Sequence, residues 1–402
     1  MFKSAVILAC ALFVLAGCST TVQRAVKKNA TPLDWDLSPP INPEPKLTGS
    51  NLPAPPIYTI PAPPPRQKTN GLMFSAPETI WLPLDRWARA HGFETLRRTG
   101  FAPAESFALA SSNGVLTLRP GSLLAGWDGI EFRLGFVPQL IGGQIFVHAL
   151  DLHKNLEPLL HGTATSPAPG RVVVIDPGHG GSNPGTHSGA DGLNEKTFTL
   201  DWALRTAKLL ETNGWRVFLT RTNDTDVSLA DRVTFPEEHR ADLFLSLHFN
   251  SSGSAGHDQA GLETYCLTPA GMPSSLTRGY DDNPAQSFPN NAFDEQNFLF
   301  AMRLHRALLK TTGDADRGVR RARFLAVLRG QNRPAVLIEG GYLSNLSEAR
   351  RIGDPAYRQK LAEAVAVALG RNLDTGGQQP EAKLPNVTPP FSNSSVGNTN
   401  GR

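Results

Sequence analysis

The chain has 402 residues with 39 Lys and Arg against 36 Asp and Glu, a net charge of +3. That length holds two domains, or one domain with long accessory segments. The near-balanced charge, with no basic run interleaved with aromatics, argues against nucleic acid as a partner. The three cysteines, Cys10, Cys18 and Cys266, build neither a disulfide framework nor a cysteine-based zinc knot.

Residues 1–17 carry Lys3, the apolar run AVILACALFVLA and then small residues before Cys18. This pattern is a secretory signal peptide, too short to span a bilayer as a mature helix. Leu15-Ala16-Gly17-Cys18 resembles the bacterial lipobox, which implies that Cys18 is lipidated and becomes the mature N-terminus. An ordinary signal with an incidental Cys18 is the competing reading. Several acyl chains on one cysteine anchor stably, since each buried CH₂ contributes roughly 0.8 kcal/mol. Ser19 after the cysteine, by resemblance to Gram-negative sorting rules, implies a cell-envelope location on the periplasmic face of the outer membrane.

Residues 18–69 then read as a lipidated N-terminus and a proline-rich linker, with SPPINPEPK and LPAPPIYTIPAPPPRQK. Extended polyproline II of about 40 residues reaches on the order of 120 Å. Residues 71–165 read as a small mixed α/β accessory unit. WLPLDRWARAHGF has the apolar face of a short helix, FALASSNGVLTLRPGS a hairpin around Asn113-Gly114, EFRLGFVPQLIGGQIFVHA further strands and ALDLHKNLEPLL a helix. His91, His148 and His153 complete no metal motif there and read as structural or surface residues. The unit is similar, loosely, to the stalk domains that precede some secreted bacterial cell-wall enzymes, which implies a spacer or binding module.

SPAPG, ending at Gly170, marks a second boundary, and residues 171–373 alternate strand and helix. Strands are expected at 172–175, WRVFLT, LFLSLHF, GLETYCL, FLAVL and AVLIEG, with helices near 195–212, over SLADRVTFPEEH, from Asp294 to Lys310 and near 355–371. Leu200, Ala203, Leu204, Ala207 and Leu210 form the expected buried stripe of the first helix, and Tyr357, Leu361, Ala364, Val365 and Ala368 that of the last. This alternation predicts an α/β fold, a mostly parallel sheet with helices on both faces, supplying its own core. Residues 374–402, rich in Gly, Pro, Asn and Ser, predict a disordered tail.

Four residues converge if the sheet is built this way. His179 follows the first strand, Glu195 opens the first helix behind Asn194 as N-cap, His248 ends LFLSLHF and Glu339 ends AVLIE. Two imidazoles and a carboxylate make a catalytic zinc set with a fourth position left for water. A second carboxylate outside the ligand set then serves as general acid/base. Asp176 is placed either to hold an imidazole N–H or to shape the turn. Taken singly, each residue has a structural reading: His179 and His248 as sheet-end residues, Glu195 as a first-turn anion complementing the helix dipole. Glu339 is harder to dismiss, because an uncompensated carboxylate deep in an apolar strand is costly.

VVVIDPGHGG, GLNEKT, LFLSLHFNSS, GLETYCL and PAVLIEGGYLSN, in this order, resemble the zinc-dependent N-acetylmuramoyl-L-alanine amidases of the amidase type 3 family over residues 171 to about 371. The resemblance implies one zinc bound by His179, Glu195 and His248, with Glu339 as catalytic acid/base. The substrate it implies is peptidoglycan, cut between the lactyl group of N-acetylmuramic acid and L-alanine of the stem peptide; it names no activator. The chain departs from the family pattern at Gly340-Gly341-Tyr342 and at His187. His187 reads as a surface residue, with substrate contact as the alternative. Arg232 reads as structural rather than substrate-binding, and His305 as packed in the core. The insertion from Thr268 to Asn297, which in some family members forms an autoinhibitory helix, is broken here by proline and glycine and predicts a groove-lining loop. A catalytically inactive wall-binding lipoprotein and a zinc peptidase or deacetylase acting on another wall bond are the competing functions.

Overall fold

In the computed structural model, residues 80–99, 105–161, 171–253 and 258–370 are described. The signal peptide, Cys18, the proline-rich linker and the C-terminal tail lie outside them.

The first part begins with β1 (Trp81–Pro83) and α1 (Leu84–Ala90), whose Leu84, Trp87 and Ala88 are buried. An antiparallel meander comes next: β2 (Arg97–Thr99), β3 (Ser106–Ser111), β4 (Gly114–Leu118), β5 (Leu124–Trp127) and β6 (Ile130–Arg133). The turn at Asn113-Gly114 joins β3 to β4, at the position the sequence predicts for the hairpin. β7 (Gln139–Ile141) and β8 (Gln144–His148) pair beside β1 in a three-stranded sheet. One helical stretch closes this part, α2 (Ala149–Asp151), a π turn over Leu152–Leu156 and α3 (Glu157–His161).

The second part runs β9 (Val172–Pro177), α4 (Glu195–Thr212), β10 (Arg216–Leu219), α5 (Leu229–Glu238), β11 (Leu243–Asn250) and β12 (Leu262–Cys266). It continues with α6 (Asp294–Thr312), β13 (Asp316–Arg321), α7 (Ala326–Arg329), β14 (Ala335–Tyr342), α8 (Leu346–Gly353) and α9 (Pro355–Ala368). β9, β11 and β14 are buried along their whole length, as unbroken apolar runs in inner strands require. α4 starts behind Asn194, although the Asn194 side chain makes no capping hydrogen bond. Its buried face is Phe198, Trp202, Ala203, Ala207 and Leu210, whereas Leu204, expected on that stripe, is exposed. The α9 stripe from Tyr357 to Ala368 is buried as its spacing requires.

The large sheet has the order β10-β9-β11-β14-β12-β13-β6-β5-β4-β3-β2. It is mixed as a whole: the expected parallel pairing within residues 171–370 is interrupted at β12–β14, and antiparallel strands extend the sheet beyond β6. β10, β9, β11 and β14 are mutually parallel, β12 is antiparallel to β14 but parallel to β13, and the strands beyond β6 are antiparallel. The reversal at β12 has a connectivity cause. A parallel neighbour requires a crossover segment, usually a helix, and no helix separates β11 from β12 among the described residues. A correction concerns FLAVL, which is not a strand: Ala326–Arg329 is a short helix, and the strand at this point is the charged DRGVRR segment.

Helices α4, α6 and α9 contribute to an apolar layer with Ile175, Leu245, Leu247 and Ile338. α5 and α7 flank the other face, where Val174, Phe244 and Leu337 pack with Val327 and Leu328. The segment that reads as a separate accessory unit is continuous with this body over its described residues. β6 pairs in parallel with β13 at Phe132–Val319, and Leu84, Leu109 and Phe132 belong to the same core cluster as Phe298 and Leu308.

Candidate active site

The site forms where β9, β11 and β14 end and α4 begins. Its first residue sits in a strained turn: His179 has φ of 62°, a region that glycine tolerates far better than histidine. Two buried arginines hold that turn. Arg232, from α5, pairs with Asp176 and donates to the carbonyls of Pro177 (3.0 Å) and His179 (2.7 Å). Arg221 donates to the carbonyls of Pro177 (3.0 Å) and Gly178 (2.9 Å), and to that of Lys196 (2.9 Å) at the start of α4. Asp176 itself is fully buried and accepts from Thr220 Oγ1 (2.6 Å) and Ser246 Oγ (2.9 Å). Burial alone would raise its pKa, but Arg232 and the Thr220 hydroxyl hold it below the usual carboxylate range. Of the two roles its sequence position allows, these contacts are those of turn-shaping.

The partner of the His179 imidazole is Asn183, whose Oδ1 lies 2.9 Å from Nδ1. On the other side of the ring, Nε2 lies 3.1 Å from Glu195 Oε2. His248 approaches the other carboxylate oxygen, Nδ1 to Oε1, also at 3.1 Å. Glu195 is fully buried; Oε1 also accepts from Phe249 N (2.9 Å) and Oε2 from Thr186 N (3.0 Å). Burial opposes its charge, but the two imidazoles and their hydrogen bonds pull its pKa far below the usual range. Burial likewise opposes charge on His179, yet Glu195 and Asn183 raise that pKa, while for His248 burial wins and lowers it.

The ligand atoms of His179, Glu195 and His248 all lie within 4.8 Å of one another, making the one such group among the described residues. Two ligands 2.0–2.1 Å from a tetrahedral metal stand about 3.3 Å apart. The separations of His179 Nε2 from Oε2 and of His248 Nδ1 from Oε1, each 3.1 Å, are close to that spacing, so two imidazoles and one carboxylate converge as a metal ion requires.

Glu339 is placed beside this group by register: it pairs with His248 across β11 and β14, and with Glu263 across β14 and β12. It is buried, and its Oε2 has no hydrogen-bond partner among the described residues. Burial first, then the charges of Glu195 and Glu263, push its carboxyl well above the usual range, with Arg278 opposing them. A buried carboxyl whose charge is disfavoured beside such a group is a candidate general acid/base.

The sequence of residues 173–371 matches a family described as N-acetylmuramoyl-L-alanine amidase. The chain is 34% identical over 199 residues to the sporulation-specific N-acetylmuramoyl-L-alanine amidase of Bacillus subtilis, covering 49% of this chain and 66% of that one. It is 31% identical over 217 residues to the N-acetylmuramoyl-L-alanine amidase AmiA of Escherichia coli, covering 49% of this chain and 74% of that one. The chain belongs to the N-acetylmuramoyl-L-alanine amidase family. A solved amidase of this name from Clostridium difficile 630 is 30% identical, spanning 52% of this chain and 100% of that one, with a TM-score of 0.42.

Several residues of this amidase site escape a reading of the sequence. Asn183, which orients His179, lies four positions after it in the turn, and that spacing is the signal available. Glu263 offers a stronger one, an acidic residue inside the apolar GLETYCL, subject to the argument applied to Glu339. It accepts from Asn250 Nδ2 (2.8 Å), Tyr265 OH (2.6 Å), Arg317 Nε (2.9 Å) and Tyr342 OH (3.0 Å). Of the other residues marked in the sequence, His187 is exposed, and His305 is buried between Thr264 and Asp316. His148 is buried and caps Leu150 N (3.1 Å), and His91 lies 2.8 Å from the Trp87 carbonyl. His153 meets Glu157 at 2.9 Å at the surface. Within the 268–297 insertion, residues 268–293 contain one short 3₁₀ turn, Pro289–Phe293, and no long helix, and residues 294–297 open α6.

Proposed function

We propose that the chain is a zinc-dependent peptidoglycan hydrolase that cuts the amide between the lactyl group of N-acetylmuramic acid and L-alanine of the stem peptide. The observation that carries this reading is the buried His179–Glu195–His248 group with Glu339 in register beside it. His179, Glu195 and His248 would hold the zinc, which when bound supplies Lewis-acid polarisation of the reacting oxygens. Glu339 takes a proton from the attacking water as its oxygen adds to the lactyl carbonyl carbon. It then delivers that proton to the alanine nitrogen as the C–N bond breaks, leaving a lactyl carboxyl and a free amine, which ionise to carboxylate and ammonium.

Digestion of purified sacculi, with products identified by mass spectrometry, tests the bond. Free L-alanine amino termini and intact lactyl ethers are expected. Cleavage within the peptide, loss of acetyl groups, or no cleavage would support the peptidase, the deacetylase or the inactive binding protein instead.

Gly178 provides an independent check on the metal site. A Cβ at this position would lie 2.1 Å from His248 Cε1 and 2.4 Å from Nε2. Gly178→Ala should therefore displace the ring and weaken zinc binding about 10- to 100-fold, the scale for disturbing the support of a ligand. Competitive chelator titration measures this, and unchanged affinity would mean His248 is not a ligand.

The location rests on Cys18. No helix among the described residues is long and apolar enough to cross a membrane. Lipid on Cys18 would hold the enzyme to the outer membrane, with residues 19–69 as its reach toward the wall. Cys18→Ser should move the processed protein from the membrane fraction to the soluble one, and a processed variant that still sediments with membranes after a salt wash contradicts the anchor.

A further inference from the structure

The loop between β12 and α6 carries an arginine to the edge of the site. Its two flanks are tied together: Ser274 N and Oγ both donate to Asp282 at 2.8 Å, and Arg323 pairs with the same carboxylate. Arg323 also donates to the Met272 carbonyl (2.7 Å), and Ser275 N to the Arg321 carbonyl (2.9 Å), which fastens the loop to β13. Between these ties the chain makes a tight turn, with Tyr280 N donating to the Thr277 carbonyl at 2.8 Å. Arg278 stands in that turn with φ of 48°, where glycine is the less strained residue. Its side chain is nevertheless placed: Nη2 donates to Asn250 Oδ1 at 2.9 Å.

Asn250 links this guanidinium to the reaction centre. It ends β11 two residues past His248, and its Nδ2 donates to Glu263, the register partner of Glu339. The Asn250 amide is thereby oriented with its oxygen toward Arg278. Glu263 is itself fixed by Arg317, Arg320, Tyr265 and Tyr342. An exposed arginine is thus held by the buried Asn250 amide, which in turn holds Glu263, the register partner of Glu339.

We infer that Arg278 is a substrate-binding residue that receives the first carboxylate of the stem peptide beyond the scissile amide. This rests on the amidase reading above. The charge balance of the substrate selects the peptide side. The muramoyl side is neutral there, because its lactyl carboxyl is consumed in the amide, whereas the peptide carries free carboxylates. A guanidinium pairs with a carboxylate through parallel N–H donors, and its planar fork fixes direction as well as charge.

Two synthetic N-acetylmuramoyl-L-alanyl-D-glutamyl peptides test this, one with the glutamyl α-carboxylate free and one with it as the carboxamide. Full-length zinc-loaded enzyme, its Arg278→Ala variant and its Arg278→Lys variant are assayed on both, with zinc content and melting temperature as controls. The wild type should prefer the free acid by about 10- to 100-fold in kcat/KM, through KM, the scale of a hydrogen-bonded charged pair. Arg278→Ala should abolish that preference, and Arg278→Lys should restore part of it. A preference that survives in Arg278→Ala, or a wild type indifferent to the carboxylate, overturns the assignment. Turnover of neither peptide by the wild type would instead strike at the amidase reading and take this one with it.

Discussion

Glu339→Gln should retain one zinc per chain and an unchanged melting temperature while hydrolysis of muropeptides falls by about 10² or more, the scale for losing a positioned general acid/base. The amide has nearly the shape of the carboxyl it replaces but cannot take up and release a proton. Glu195→Gln should behave in the opposite sense. Both Glu195 oxygens face an imidazole and both accept a backbone N–H, so an amide nitrogen would confront donors at one of them. Zinc should be lost first and activity with it. Metal content by elemental analysis and turnover, measured on both variants, separate the roles. Zinc lost from the Glu339 variant but kept by the Glu195 variant reverses them.

An enzyme beginning at residue 171 should fail to fold into a soluble body, whereas one beginning at residue 71 should unfold in a single transition. Read from the sequence, residues 171–373 supply their own core. In the folded chain, removing the segment before them strips β6 from β13 and opens a strand edge. It also takes Phe132 from Phe298, whose ring centroids are 5.6 Å apart. Buried Arg321 would lose Asn155 Oδ1 (2.8 Å) and the Lys154 carbonyl (2.9 Å), leaving a charge short of partners in an apolar setting. Asp316 would lose Glu131 N (2.9 Å). Phe132→Ala in the longer chain gives the graded version, with a loss of about 3–5 kcal/mol expected in denaturant unfolding. A soluble 171–402 chain that binds one zinc and melts cooperatively would show that the boundary at Gly170 is a true domain boundary.

The legible parts of this chain are those where burial writes itself into composition. Val172–Ile175, LFLSLHF and AVLIE are inner strands with apolar residues on both faces, and their ends carry His179, His248 and Glu339. β13 is illegible for the opposite reason. Its DRGVRR segment is charged, and it is stabilised in the sheet because Glu263 and Asn155 arrive from elsewhere in the chain to meet its arginines. FLAVL is apolar enough to suggest a strand but packs as a loop and a helical turn. Strand direction is likewise a property of neighbours, so the reversal at β12 and the junction of β6 with β13 leave no local signature. The same holds for Asn183, Arg221 and Asn250, whose partners are set by folding rather than by spacing.

The β6–β13 junction also bears on how such a chain is inherited. A segment that only carried the enzyme could be exchanged by recombination at residues 162–170 without consequence for the catalytic half. Here Phe132 answers to Phe298, Asn155 to Arg321 and Glu131 to Asp316, so a foreign partner on either side would meet the wrong surface. Changes on the two sides of the junction are therefore expected to be coupled, across a stretch that looks like a seam in the sequence.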